Sequence, residues 1–344
     1  MLLIFSLQDV MAAINHSLDN RTENRSNEKS EVIAFLDSTL GVSIPKDFSL
    51  ISGQSRLRIL NDIIKSFQSH IPFQNIVLMS KVASERHLPT LDELSEDVIS
   101  KRGGMCYTNN VFFKRALEAL GFQAYHVACS VSNTIVSNSH IITCVQDVVQ
   151  EGDLYVAEVG CGYATFRAIC MDFVAESPTY KDSTCTYKLV KVNTIEPHVG
   201  YSTYERWQRQ DGIRQVPLVD ERGEDWYRFY SFTLEPRSLE FFRSYVGVVY
   251  ENPTATRFHR VIAFSCFPKG QAVTLTSIID NDGDGKEIRK LVLKEEMAGG
   301  VITKEQFDLE PEVPLGLNRI KELLPELKNH IADALHNLND ASLT

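Results

Sequence analysis

"KRGGMCYTNN" (Lys101–Asn110) runs directly into "VFFKRALEALG" (Val111–Gly121), and the reading of that join decides the fold. Phe112, Phe113, Ala116, Leu117 and Leu120 recur at helical spacing and Gly121 offers a C-terminal cap, so the spacing predicts a helix that opens near Cys106. Gly103 and Gly104 before it permit a tight turn and the close approach of another backbone. A cysteine at a helix mouth is placed for chemistry, because the thiolate is the attacking form and a helix N-terminus together with an imidazolium favours it. The helix end alone contributes only about 0.3–1 kcal/mol, less than one pKa unit, so a base is required.

Upstream the pattern is helical. "RLRILNDIIKSFQSHIPFQNI" carries Leu57, Leu60, Ile63, Ile64 and Phe67 on one face, and Pro72 stops it. "TLDELSEDVISK" opens on a capping box, Thr90 with Glu93, and its spacing turns Leu91, Leu94, Val98 and Ile99 inward. Downstream of Gly121 the period changes. "FQAYHVACSV", "SHIITCVQDV", "DLYVAEVG" and "TCTYKLVKV" are short, β-branched and aromatic-rich, the pattern of a barrel or meander. From "RFYSFTLEPRSLEFFRSYVGVV" a strand gives way to a helix after Pro236, followed by strands "RVIAFSCF" and "AVTLTSII". The tail places Ile320, Leu323, Leu324, Leu327, Ile331, Leu335 and Leu338 at helical spacing, with a break at Pro325.

The expected organisation is α+β with segregated elements: a polar arm (1–30), helices (31–121), strands (122–228), a mixed α/β piece (229–312) and a helical extension (313–344). "DNDGDG" (Asp280–Gly285) mimics the start of a calcium loop. Its twelfth position is Leu291 rather than glutamate, and a hairpin turn is the better reading.

The chain has 344 residues, 43% hydrophobic and 23% charged, enough for two or three packed units. A net charge of −10 argues against nucleic acid or an anionic membrane as the main partner. Seven scattered cysteines with neither CxxC pairs nor histidines at metal spacing read as free thiols of a reducing, cytoplasmic compartment, with no metal implied. "MLLIFSL" lacks a basic flank and a small-residue cleavage site, and no apolar run is long enough to span a bilayer. The triplets at Asn15, Asn20 and Asn24 match the glycosylation pattern, as chance produces in any Asn/Ser-rich stretch.

The base expected for Cys106 is His140, at the start of a strand whose Ile141, Thr143 and Val145 point one way and Ile142 and Cys144 the other. The next strand carries Glu158, which antiparallel pairing brings toward the far nitrogen of His140. Asp147 and Asp153 sit at strand ends and read as solvated. Singly, Cys106 reads equally as a core thiol or a nucleophile, His140 as a core histidine and Glu158 as a surface carboxylate; their order after Arg102-Gly103-Gly104 is what is specific.

These residues carry a resemblance. "RGGMCYTNN" resembles the RGGxCxxxN signature of arylamine N-acetyltransferases, with Asn110 in place, and "IPFQN", "SHIITCV", "VAEVGCG" and "YSFTLEPRSLEFF" resemble further family segments in the same order. The resemblance runs from about Leu57 to Ile279 and implies a helical bundle, a β-barrel and an α/β lid, the first two sharing a papain/transglutaminase-like cysteine core. It implies ping-pong acetyl transfer from acetyl coenzyme A, as co-substrate, to arylamines or arylhydrazines, in xenobiotic metabolism. Cys106 would be nucleophile, His140 base and then acid, Glu158 the orienting carboxylate; Phe73 would wall the acceptor pocket, Arg102, Gly103 and Gly104 would hold the loop, and Gly160 and Gly162 would lie close to coenzyme phosphates. Two positions depart from the family: glutamate stands at Glu158 for aspartate, and Gln74 replaces a glutamate expected to pair with Arg102. The same order of residues also serves cysteine hydrolases and transglutaminase-like enzymes, and the two departures suit an inactive binding homologue. The glycine pair before Cys106 and the Pro-Phe element favour the acetyltransferase.

Overall fold

The computed structural model describes residues 29–340 except 52, 133, 193–201, 211–225, 282–286, 309–320 and 323. The N-terminal arm, the tip of "DNDGDG", Ile320 and Leu323 therefore lie outside the described residues. Helix α1 spans 29–38, so helical structure begins inside the segment read as an arm. Helix α2 (Gly53–His70) buries Leu60, Ile63, Ile64 and Phe67 as its spacing requires, and adds Gln68 to the same face. The two-residue strand β1 (Phe73–Gln74) leads into α3 (Ile76–Ser80). Helix α4 (Leu91–Ile99) begins with the Thr90–Glu93 capping box, and Leu94 and Val98 are its buried positions. Leu91 and Ile99, expected inward, are instead 42% and 52% exposed, because the helix is short and only one i, i+4 stripe meets the core. Helix α5 (Cys106–Leu120) is buried nearly all round in its first turns and ends on Gly121 in the left-handed conformation at φ 93°.

Eight antiparallel strands follow: β2 (Gln123–Val131), β3 (His140–Gln146), β4 (Leu154–Ala157), β5 (Ile169–Cys170), β6 (Tyr180–Asp182), β7 (Cys185–Val192), β8 (Thr203–Gln210) and β9 (Tyr227–Thr233). Their order is β5-β4-β3-β2-β9-β8-β7-β6. The barrel expected takes the form of a curled half-barrel: β5 and β6 form its two edges and carry two and three residues, too few to complete a ring. β9 belongs to this sheet, so the strand region extends past residue 228. The central strand β3 faces two cores. Ile141 and Val145 join the helical cluster with Phe67, Phe113 and Leu117, while Ile142 and Cys144 join the cluster inside the curled sheet.

After α6 (Leu239–Tyr245) and α7 (Gly247–Glu251), the chain forms β10 (Ala263–Cys266), β11 (Val273–Asn281), β12 (Glu287–Glu296) and β13 (Ile302–Asp308). These make a five-stranded antiparallel sheet in the order β1-β10-β11-β12-β13, so a piece of the helical region supplies its first strand. Asn281 pairs with Glu287, making the "DNDGDG" region the connection of a hairpin. The C-terminal helix Ile331–Asp340 follows a 3-10 turn beginning at Pro325, and its Ile331, Ala334 and Leu338 pack with Ile76, Met79, Leu275 and Leu293. Among the described residues no helix is long and apolar enough to cross a membrane.

Candidate active site

Cys106 is the first residue of α5, and Met105 before it contributes no side-chain cap, so no side chain accepts from the first-turn amides at that position. The turn that delivers it is fixed by backbone bonds: Gln74 N–H donates to Gly104 O at 3.0 Å and Gly104 N–H to Pro72 O at 3.3 Å. Gly103 has φ 62°, and a Cβ there would fall 2.1 Å from Pro72 O. Gly103 thus lets the Pro72–Phe73 backbone lie against the loop, while Gly104 leaves room for Thr108, whose side chain would fall 2.6 Å from a Cβ there.

Gln74 does not pair with Arg102. Its Nε2 donates to Gly103 O at 3.1 Å, and its Oε1 accepts from Val77 N at 3.0 Å, while Arg102 bonds Asp97 at 2.7 Å and Glu96 at 2.8 Å. A neutral amide suits this position because its partners are backbone groups. Arg102, Gly103 and Gly104 line a small separate cavity of about 210 Å³ and do not border the one that contains Cys106.

His140 begins β3, directly opposite Cys129 on β2. Its Nε2 donates to Glu158 Oε2 at 2.7 Å, and both side chains are buried. This leaves Nδ1 to face Cys106, whose hydrogen bond and charge act on the imidazole. Tyr230 and Phe229 flank the ring at 5.4 and 6.4 Å between centroids and restrict its rotation. Burial works to lower the His140 pKa, but the Glu158 carboxylate and the contact with Cys106 prevail and raise it to about 10. Glu158 shifts the opposite way. Burial would raise it, and His140, Asn110 and the Gly160 amide hold it below the ordinary glutamate value. Cys106 Sγ also lies 3.9 Å from Ser139 O.

Glu158 follows the end of β4 and is saturated by hydrogen bonds. Its Oε1 accepts from Asn110 Nδ2 at 3.0 Å and from the Gly160 amide at 2.7 Å, and its carbonyl accepts from Gln68 Nε2 at 3.0 Å. Asn110 also donates to Ile141 O at 2.8 Å, so one amide on the turn after Cys106 ties α5 to both neighbouring strands. Asn110 stood in the signature without a role, and Gln68 was masked by lying on an otherwise apolar face.

A cavity of about 670 Å³ opens on Cys106 and His140 and is walled by Phe73, Tyr163, Phe229, Phe258 and the β11 face. Phe73 packs edge-on against Phe258 at 5.9 Å. Gly160 and Gly162 border this cavity, but packing inside the chain accounts for both: a Cβ at Gly160 would fall 2.9 Å from Cys106 Cα, and one at Gly162 would fall 2.9 Å from the Phe73 ring. Asp147 and Asp153 are remote from the site. Asp153 accepts from the amides of Val148, Val149 and Gln150, and Asp147 from Gly152, stapling the β3–β4 turn.

Comparisons with known proteins place the chain beside N-acetyltransferases. A family model described as N-acetyltransferase matches residues 56–314. Arylamine N-acetyltransferase 1 of Bos taurus is 26% identical over 205 residues, covering 58% of this chain and 67% of the relative. The structure of the arylamine N-acetyltransferase from Mycobacterium abscessus superposes with TM-score 0.61 at 18% identity, over 89% of this chain and 94% of that one. The Mycobacterium marinum enzyme in complex with CoA superposes with TM-score 0.55 at 17% identity, over 85% and 94%.

Proposed function

The chain belongs to the N-acetyltransferase family, a family of acyltransferases, and from that premise we propose that it moves an acetyl group from acetyl coenzyme A to an arylamine or arylhydrazine through a thioester on Cys106. The opening of Cys106 and His140 onto one aromatic-walled cavity, with the buried Glu158 bonded to His140, carries this reading.

In the first half-reaction the Cys106 sulfur, beside the protonated His140, attacks the thioester carbonyl. The C–S bond to the coenzyme breaks, and its departing thiolate takes the imidazolium proton. His140 is then neutral. In the second, the amine attacks the acetyl-cysteine, His140 accepts the proton released from nitrogen, and Cys106 leaves as thiolate, restoring the starting pair. Glu158 keeps Nε2–H directed at itself, so that Nδ1 handles both transfers. First-turn amides of α5 supply the site for oxyanion charge. Phe73, Tyr163 and Phe229 form the slot for an aromatic acceptor.

Intact mass measurement tests this directly. Acetyl coenzyme A alone should add one acetyl group to the wild type and none to Cys106→Ala, and a following arylamine should remove it. A stable, unacetylated protein under these conditions refutes the reading.

A further inference from the structure

Although the chain carries a net charge of −10, no aspartate or glutamate lines the cavity that contains Cys106 among the described residues, whereas Arg257, Arg260 and Lys294 do. The positions of these cations are ordered. Phe73, Ser265, Thr274 and Lys294 are successive partners across β1, β10, β11 and β12, and Lys304 continues the row on β13. At about 4.8 Å per strand, the Lys294 backbone stands about 14 Å from that of Phe73. Two lysines directly opposite each other on a ladder destabilise it. Burial and the charge of Lys304 both lower the Lys294 pKa, and an anion seated there relieves both effects. Arg257 and Arg260 belong to the turn whose Phe258 packs on Phe73, and Asn75 Nδ2 fixes that turn by donating to Phe258 O and Val261 O at 2.7 Å each.

We propose that Lys294, Arg257 and Arg260 form an anion-binding wall that reads a negatively charged group on the thioester donor, remote from its carbonyl. The proposal rests on the acyl-transfer reading above. The separation from Phe73 is on the scale of the arm between a coenzyme thioester and its phosphates and exceeds a short acyl chain, which favours the phosphates over a carboxylate on the acyl group. The wall takes the role that the family resemblance implies for Gly160 and Gly162, whose close approaches are occupied by Cys106 and Phe73.

The test uses Lys294→Met, Arg260→Gln and their combination with three donors: acetyl coenzyme A, uncharged S-acetyl-N-acetylcysteamine, and S-malonyl-N-acetylcysteamine, which carries only a carboxylate. In the double variant the KM for acetyl coenzyme A should rise about tenfold or more with kcat little changed, while the uncharged donor is unaffected. A rise confined to the malonyl donor keeps the wall and moves its ligand to an acyl carboxylate. Equal effects on charged and uncharged donors, or none on any, overturn the proposal. Calorimetry with adenosine 3′,5′-bisphosphate separates the two readings: binding to wild type that weakens with salt and is lost in the double variant upholds the wall even if no donor acylates Cys106, whereas undiminished binding to a folded double variant refutes it.

Discussion

Glu158 is one methylene longer than the aspartate the family resemblance leads one to expect, and the chain absorbs the extra length locally. The Gly160 amide turns back onto Oε1, Asn110 fixes the same oxygen, and Oε2 is left in line with His140. Glu158→Gln keeps the shape but loses the charge. By comparison with carboxylate-to-amide changes in other triads, turnover should fall by about 10³–10⁴-fold, and stopped-flow acylation would show it. Glu158→Asp keeps the charge and should retain substantial activity. The pH behaviour follows from the two shifts. The raised pKa of His140 means that its contribution to stability is complete below its unfolded value of about 6.5 and is lost as pH rises through about 10. The lowered Glu158 contributes above the unfolded glutamate value, and its share is lost as pH falls through its folded value. Nitrogen NMR of labelled histidine should find the wild-type ring protonated well above neutrality and the Glu158→Gln ring titrating at markedly lower pH; identical titrations would contradict the charge coupling. The grouping of Cys106, His140 and Glu158 was legible because they follow Arg102-Gly103-Gly104 in a fixed order, and the structure brings the three side chains together. The true partner of Gln74 was not, since sequence order does not show whether an amide meets a guanidinium or a carbonyl.

Helix α5 meets strand β3 through Asn110, and meets the segment after β4 through the absence of a side chain at Gly160. Gly160→Ala would drive a methyl into Cys106 Cα and to within 2.5 Å of Asn110 Nδ2, both held by surrounding backbone. We expect it to abolish acylation and to destabilise by about 1–3 kcal/mol, the ordinary cost of overpacking, readable together by mass spectrometry and denaturant titration. The main helices and most strands follow from periodicity, because their apolar stripes match the buried faces. Strand β8, "TYERWQRQ", was invisible to that test. Two of its inward positions are Arg206 and Gln208, fully buried, with the guanidinium bonded to Gln208 and Thr165 and stacked on Tyr187 at 4.5 Å. A polar interior breaks the apolar alternation on which strand recognition relies. Leu91 and Ile99 show the converse: the right spacing with no partner to cover it.

For the molecule as a whole, the C-terminal helix is structural packing rather than a solvated appendage. Leu327, Ile331, Ala334 and Leu338 are essentially inaccessible, and Asn337 Nδ2 donates to Met79 O at 2.9 Å. At about 1.5–3 kcal/mol per large buried side chain, deleting residues 325–344 removes several kcal/mol and uncovers Ile76 and Met79. Thermal unfolding of the truncated chain should shift down by about 10 °C or more; an unchanged midpoint would show that the helix contributes nothing. Whether the barrel closes was not legible, because closure depends on edge strands, and residues 169–170 and 180–182 are too short to declare themselves in sequence. The two-residue strand at Phe73–Gln74 was equally hidden, and it has a mechanical meaning. It is hydrogen-bonded on one side to the loop bearing Cys106 and on the other to the first rung of the five-stranded sheet. Displacement of that sheet therefore has an unbroken main-chain route to the loop that carries the Cys106 sulfur.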